Sequence, residues 1–171
     1  MGAEVNWLPF DLHPEYPPEG IPRQQLLARY GGAMTEQITR FFAERGLQYN
    51  PNPDVVPNSM NALRLTELAR DLGMHAQLHD RLMDAYWAEA KNIGDLDVLR
   101  EEAGAVGLPA NEVEDVLAGN RYRDRVAAST REAYGLGANA VPAFVLDRRL
   151  LVLGAQPDEV FEEAFAQLER P

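Results

Sequence analysis

The feature that most constrains this sequence is a change of hydrophobic period late in the chain. Between Leu26 and Tyr134 the apolar residues recur at helical spacing. After Ala140 they come instead as two short continuous runs, Ala143-Phe144-Val145-Leu146 and Leu150-Leu151-Val152-Leu153, on either side of Asp147-Arg148-Arg149. Two such runs around a polar triplet predict a β-hairpin, although the turn lacks the usual Asn-Gly or Asp-Gly pair. Gly154 ends the hairpin, and Pro157 begins a closing helix carrying Val160, Phe161, Ala164, Phe165 and Leu168. A helical block followed by a hairpin and one more helix restricts the chain to the α+β or α/β classes.

The rest of the chain can be divided with the same rules. Glu4 to Phe10 alternates in polarity and predicts a short strand with Val5 and Trp7 on one face, Pro9 being tolerable near its end. His13 to Pro22 is Pro-rich and predicts an irregular connector, with Pro22 suited to the first turn of a helix. One helix carries Leu26 and Leu27 and stops at Gly31-Gly32; the next carries Ile38, Phe41 and Phe42 and stops at Gly46. Asn58 or Ser59 caps a helix with Leu63, Leu65, Leu68, Ala69 and Leu72, which ends at Gly73. Leu78, Leu82, Ala85, Tyr86 and Trp87 mark another, Asp95 caps one with Leu96, Leu99 and Ala103, and Pro109 opens one with Val113, Val116 and Leu117. Asn120 to Tyr134 completes the block. No internal repeat or low-complexity tract interrupts it.

Charge and composition exclude several functions. The chain has 171 residues, 46% hydrophobic and 25% charged, as expected of a single globular domain with a sizeable core. Its 27 acidic and 16 basic residues leave a net charge of -11, which argues against nucleic acid or an anionic membrane surface as partners. No apolar run approaches the roughly 20 residues that span a bilayer, and Met1 to Asn6 has no secretory pattern, so a cytoplasmic location is expected. With no cysteine, disulfides, thiolate metal sites and thiol nucleophiles are excluded for these residues.

Few polar groups suggest chemistry by spacing. His75 and His79 lie four apart on a predicted helix and share a face, where Asp71 or Asp80 could join them as metal ligands. The segment lacks the glutamate of a zinc-protease helix, so surface histidines and no metal are expected. His13 suits a local hydrogen bond. Ser59 sits at a cap and Ser129 inside a helix, neither in a nucleophile context. Arg121, Arg123, Arg125 and Arg131, like Glu112, Glu114 and Asp115, are expected on a solvated face with mutual ion pairs. Phe41, Phe42 and Trp87 are expected in the core.

Several stretches in order carry a family resemblance: Trp7-Leu8-Pro9-Phe10-Asp11-Leu12-His13-Pro14 with Pro18-Glu19-Gly20; Pro57-Asn58-Ser59; Ala85-Tyr86-Trp87; Asp95 to Leu99; Ala140-Val141-Pro142-Ala143-Phe144-Val145; and Gly154-Ala155-Gln156-Pro157. Together they resemble the DsbA-like thioredoxin domains that include FrnE-type oxidoreductases and 2-hydroxychromene-2-carboxylate isomerases. The resemblance implies an α/β, thioredoxin-like fold with a helical insertion. The single domain, 1–171, would have a discontinuous core (about 1–21 and 137–171) around an insertion (about 22–136). It implies a cis bond at Val141-Pro142, which would present the Val141 backbone to an extended peptide or a glutathione-like thiol. Val141, Pro142, Asn58 and Gln156 are the substrate-binding residues it suggests, and glutathione the one cofactor it leaves open.

The sequence departs from the family at its start. Family members begin with a strand leading into Cys-Pro-Trp-Cys, or a Ser-containing equivalent, whereas this sequence begins after that helix. It is expected to be N-terminally truncated in this sense, with its first strand matching the family's second. Loss of a central strand would leave buried backbone groups unpaired at about 1–3 kcal/mol each, against a domain stability of about 5–15 kcal/mol. Three repairs are expected to compete: direct closure of the remaining strands, a homodimer that fills the gap, or a longer native chain. By resemblance the function is thiol–disulfide exchange, inactive in the sequence as it stands. A glutathione-dependent isomerase or transferase and a non-catalytic peptide-binding or assembly module are the alternatives.

Overall fold

The computed structural model describes residues 4–50 and 54–169. Contacts divide the chain into two compact units, residues 13–126 and residues 1–12 with 127–171.

The first unit is helical and is built around α3 (Met60–Asp71), whose residues Ala62 and Arg64 to Ala69 are all buried. Leu65 and Leu68, fully buried, meet Leu78 and Leu82 of α4 (His75–Met83), Leu99 and Ala103 of α5 (Leu96–Ala105) and Val113, Val116 and Leu117 of α6 (Ala110–Ala118) in one cluster. Each fully buried leucine contributes about 1.5–3 kcal/mol, so this cluster dominates the unit's stability. The helix starts follow the capping residues. Asp95 accepts from the amides of Asp97 and Val98 at 2.8 and 3.2 Å, an arrangement worth about 1 kcal/mol. Pro109 precedes α6 with the extended backbone of a helix entry. At α3 it is Asn58, not Ser59, that bonds the helix start, accepting from the amide of Met60 at 2.9 Å.

The same unit holds α1 (Arg23–Tyr30) and α2 (Gly32–Glu44), and a two-residue antiparallel pairing of β1 (Ile21–Pro22) with β2 (Val55–Val56). This pairing was hidden by the prolines around it. It requires Gly20, whose φ is +79° and where a Cβ would collide with the carbonyl oxygen of Val56. After α4 the helix widens into a π-turn, Asp84–Ala88. The widened turn turns the carbonyls of Trp87 and Ala88 toward Asn50, which donates to both; its own backbone amide lies 2.9 Å from the Trp87 oxygen.

The second unit contains β3 (Ala143–Leu146) and β4 (Leu150–Leu153), paired antiparallel from Ala143↔Leu153 to Leu146↔Leu150, and α8 (Asp158–Leu168). The hairpin therefore forms where the two apolar runs predict it. Phe144 of β3 meets Phe161 of α8 edge-on, with centroids 4.9 Å apart, over buried Val152 and Ala164. Helix α7 (Arg123–Gly135) begins within the first unit and continues in the second.

Two expectations are corrected. Residues 4–10 form no strand among the described residues. Val5 and Trp7 are 68% and 49% exposed; alternating polarity had no neighbouring strand to pair with. The segment is held instead by Phe10, packed at 5.2 Å against Tyr134, and by the Asp11 amide, which donates to Thr130 Oγ1 at 3.0 Å. Phe41, Phe42 and Trp87 are only half-buried: Phe42 and Trp87 line an open cleft rather than the core, and Phe41 lies under the Arg45 guanidinium.

Candidate functional site

The hairpin presents one face of backbone. β4 occupies one edge of β3, and among the described residues no strand pairs with the other. The chain enters β3 through Ala138, which is buried, and then Val141, which is 54% exposed. The Val141–Pro142 peptide is cis. The Pro142 carbonyl accepts from the amide of Gly154 at 2.8 Å, extending the hairpin ladder by one bond. Among the described residues neither the amide nor the carbonyl of Val141 enters a backbone hydrogen bond. With Val145 also 40% exposed, this corner combines free main-chain groups with apolar side chains, which is what an added extended segment needs.

Gln156 is exposed and folds back on its own strand: its Nε2 donates to the Leu153 carbonyl at 2.7 Å and closes the turn after β4. Asn58 belongs to the helical unit. Its Oδ1 holds the start of α3, and its Nδ2 donates to the Tyr16 carbonyl at 2.7 Å, tying the Pro-rich connector to the helix. Both amide side chains thus have structural partners. Of the four residues the sequence suggested, Val141, Pro142 and Gln156 are exposed, and only Gln156 of these has its side chain committed to a local bond.

The other sequence candidates are accounted for locally. His13 contacts Glu15 at 3.0 Å and stacks on Tyr16. His75 and His79 stack with ring centres 5.8 Å apart, and among the described residues no group of three or more His, Asp or Glu is placed to hold a metal. Burial, with the Arg70 and His79 charges behind it, pushes the His75 imidazole below the usual histidine range. Arg121 pairs with Glu112 at 2.6 Å, and Arg125 with Asp71 at 2.7 Å. The cleft by Phe42 and Trp87 went unread in the sequence, where adjacent aromatics carry no sign of whether they face a core or an opening.

A chain with a hairpin–helix unit, a helical unit and an open β3 corner is of the thioredoxin-like α/β class. The sequence matches the DSBA-like thioredoxin domain over residues 1–166, and the chain belongs to that family. It is similar to a probable DsbA oxidoreductase of Streptomyces coelicolor, with 36% identity and a TM-score of 0.85 over 95% of this chain and 74% of that one. A cytosolic disulfide reductase of Pseudomonas aeruginosa, DsbM, solved with GSH, shares 28% identity at a TM-score of 0.52, over 68% of this chain and 62% of its own. The uncharacterized protein YwbO of Bacillus subtilis (strain 168) is 28% identical over 171 residues, covering 98% of this chain and 84% of YwbO. No helix of the described residues is long and apolar enough to cross a membrane.

Proposed function

We propose that this chain supplies the substrate-docking corner of a DsbA-like thiol–disulfide oxidoreductase, a protein of the cytoplasm, and that the 171 residues alone carry out no exchange. The single observation behind this reading is the exposed, unbonded backbone of Val141 at the entry to an open β3 edge. An extended peptide laid there gains main-chain hydrogen bonds, with Val141 and Val145 offering apolar contact. The chemistry itself needs a thiolate to attack one sulfur of a disulfide and displace the other as a thiolate. The sequence has no cysteine to provide it. A thiol from outside these residues would complete the reaction beside a docked substrate.

Two measurements test the proposal together. Insulin reduction in the presence of dithiothreitol is expected to run no faster with this chain than without it. Titration with an unstructured, cysteine-free peptide is expected to shift the amide resonances of Val141 to Val145. Reduction above the background, or peptide shifts confined to residues away from β3, would refute it.

A glutathione-using isomerase or transferase is the second reading, favoured by the relative solved with GSH. Glutathione is itself a short extended peptide and would use the same backbone groups. Saturable shifts at Val141 with glutathione, and none with the longer peptide, would select this reading. A second copy of the chain could also occupy the β3 edge. Sedimentation at several concentrations detects such a dimer, and peptide would then dissociate it.

A further inference from the structure

In the helical unit, the end of α2, residues 47–48 and the π-turn enclose an open cleft of about 450 Å³, within the size range of small-molecule sites. Phe42, Leu47, Met83 and Trp87 give it apolar walls, and Asp84 and Glu89 line it as the charged groups. No Lys, Arg or His is in its lining. The aromatic surface is continuous: Phe42 lies 5.4 Å from Trp87 and 5.2 Å from Tyr49, and Trp87 lies 4.9 Å from Tyr86. Leu47 and Met83 remain 54% and 37% exposed at the opening, although apolar side chains of this size gain from burial.

The charges decide what could enter. The Glu89 carboxylate is met by Arg81 and Lys91, so its charge is compensated. Asp84 enters no ion pair among the described residues. Neighbouring guanidiniums are committed elsewhere: Arg23 donates to Tyr86 Oη at 3.2 Å, and Arg45 lies 3.7 Å over the Phe41 ring. The Arg45 contact shows this aromatic group already holding one cation by a ring face, as aromatic quadrupoles do. An anion would meet an uncompensated carboxylate and the negative faces of two rings. A purely apolar ligand would gain nothing from the Asp84 carboxylate, which is exposed.

We propose that this cleft binds a small organic cation with an apolar body, its ammonium between the Trp87 ring and Asp84 and its body against Phe42, Leu47 and Met83. The site is separate from the β3 corner and does not depend on thiol chemistry.

The test uses the full chain with Trp7→Phe, so that Trp87 is the only tryptophan, titrated with benzyltrimethylammonium. Trp87 emission and the indole N–H resonance are expected to change saturably, with a Kd at or below about 1 mM. Benzyl alcohol, which keeps the ring but lacks the charge, is expected to bind at least tenfold more weakly. Asp84→Asn, an exposed change, is expected to weaken the cation about three- to tenfold with an unaltered circular dichroism spectrum. Trp87→Phe, followed by the Leu47 and Met83 resonances, should weaken it as well. No saturation, equal binding of the alcohol, or a Kd unchanged by Asp84→Asn would overturn the assignment.

Discussion

Arg64 Nη2 donates to the carbonyl oxygen of Gly119 at 2.7 Å, from a residue only 1% exposed. The same guanidinium reaches the carbonyls of Val116 and Arg121 and the Asn61 side chain. A helix C-terminus leaves carbonyls unpartnered and favours a cation. Here one buried arginine on α3 serves the end of α6 and the turn that follows it.

Arg64→Met should therefore destabilise the protein by about 3 kcal/mol, since the buried Val116 carbonyl and the part-buried carbonyls of Gly119 and Arg121 lose their donor, at about 1–3 kcal/mol for a fully buried one and less for the others. Arg64→Lys should recover little, because an ammonium lacks the planar fork that reaches divergent acceptors. Urea denaturation reads both. A loss below about 1 kcal/mol for Arg64→Met would show that water replaces the guanidinium.

Asp71 gives the clearest pH dependence. Arg125 at 2.7 Å and the Tyr122 hydroxyl at 2.8 Å hold its carboxyl below the usual 3.8. A carboxylate with a depressed folded value contributes its full stabilisation above the unfolded value and loses it as pH falls through the folded one. Wild type and Asp71→Asn should therefore differ most near neutrality and converge in acid, once pH has fallen through the lowered folded value. The pair is largely solvent-exposed, so the difference should be small. Urea midpoints whose separation is constant from neutrality to acid would reject the ion pair as its source.

The hairpin turn is built against preference. Asp147 and Arg148 have φ of +50° and +54°, a region costly for residues with a Cβ. Glycine at the second position should stabilise the protein by about 0.5–1 kcal/mol. Against this stands the exposed Arg148–Glu132 pair at 2.6 Å, which contributes little. A lower thermal midpoint for Arg148→Gly would mean that the ion pair outweighs the backbone.

Thr130→Val removes the acceptor of the Asp11 amide while keeping the side chain's shape. The expected loss is about 1–2 kcal/mol. Amide exchange should quicken at Asp11 more than in β3 and β4, because the bond pins the N-terminal segment to α7 rather than holding the hairpin. Unchanged Asp11 exchange would place the anchoring elsewhere, for instance in the Phe10–Tyr134 contact.

The predictions that succeeded depended on local physics. Asp95, Pro109 and Gly31 act within a turn of their own helices, so capping and breaking rules suffice to find them. The hairpin was legible despite its poor turn because Phe144, Val152 and their neighbours form two apolar runs too short for helices, rich in β-formers and separated by a polar triplet. Of the site, Val141 and Pro142 came from the family resemblance rather than from any pattern.

What the sequence determined by itself was the set of helices, the hairpin and the absence of a thiol. Each depends on residue type and near spacing. Tertiary structure alone decided that residues 4–10 do not pair as a strand, since alternation specifies a face but not a partner. It alone set the burial of Arg64, whose three backbone acceptors lie more than fifty residues away in the chain. It also widened α4 into a π-turn, leaving Phe42 and Trp87 at an open cleft, because hydrophobicity favours burial without specifying whether a neighbour arrives to complete it.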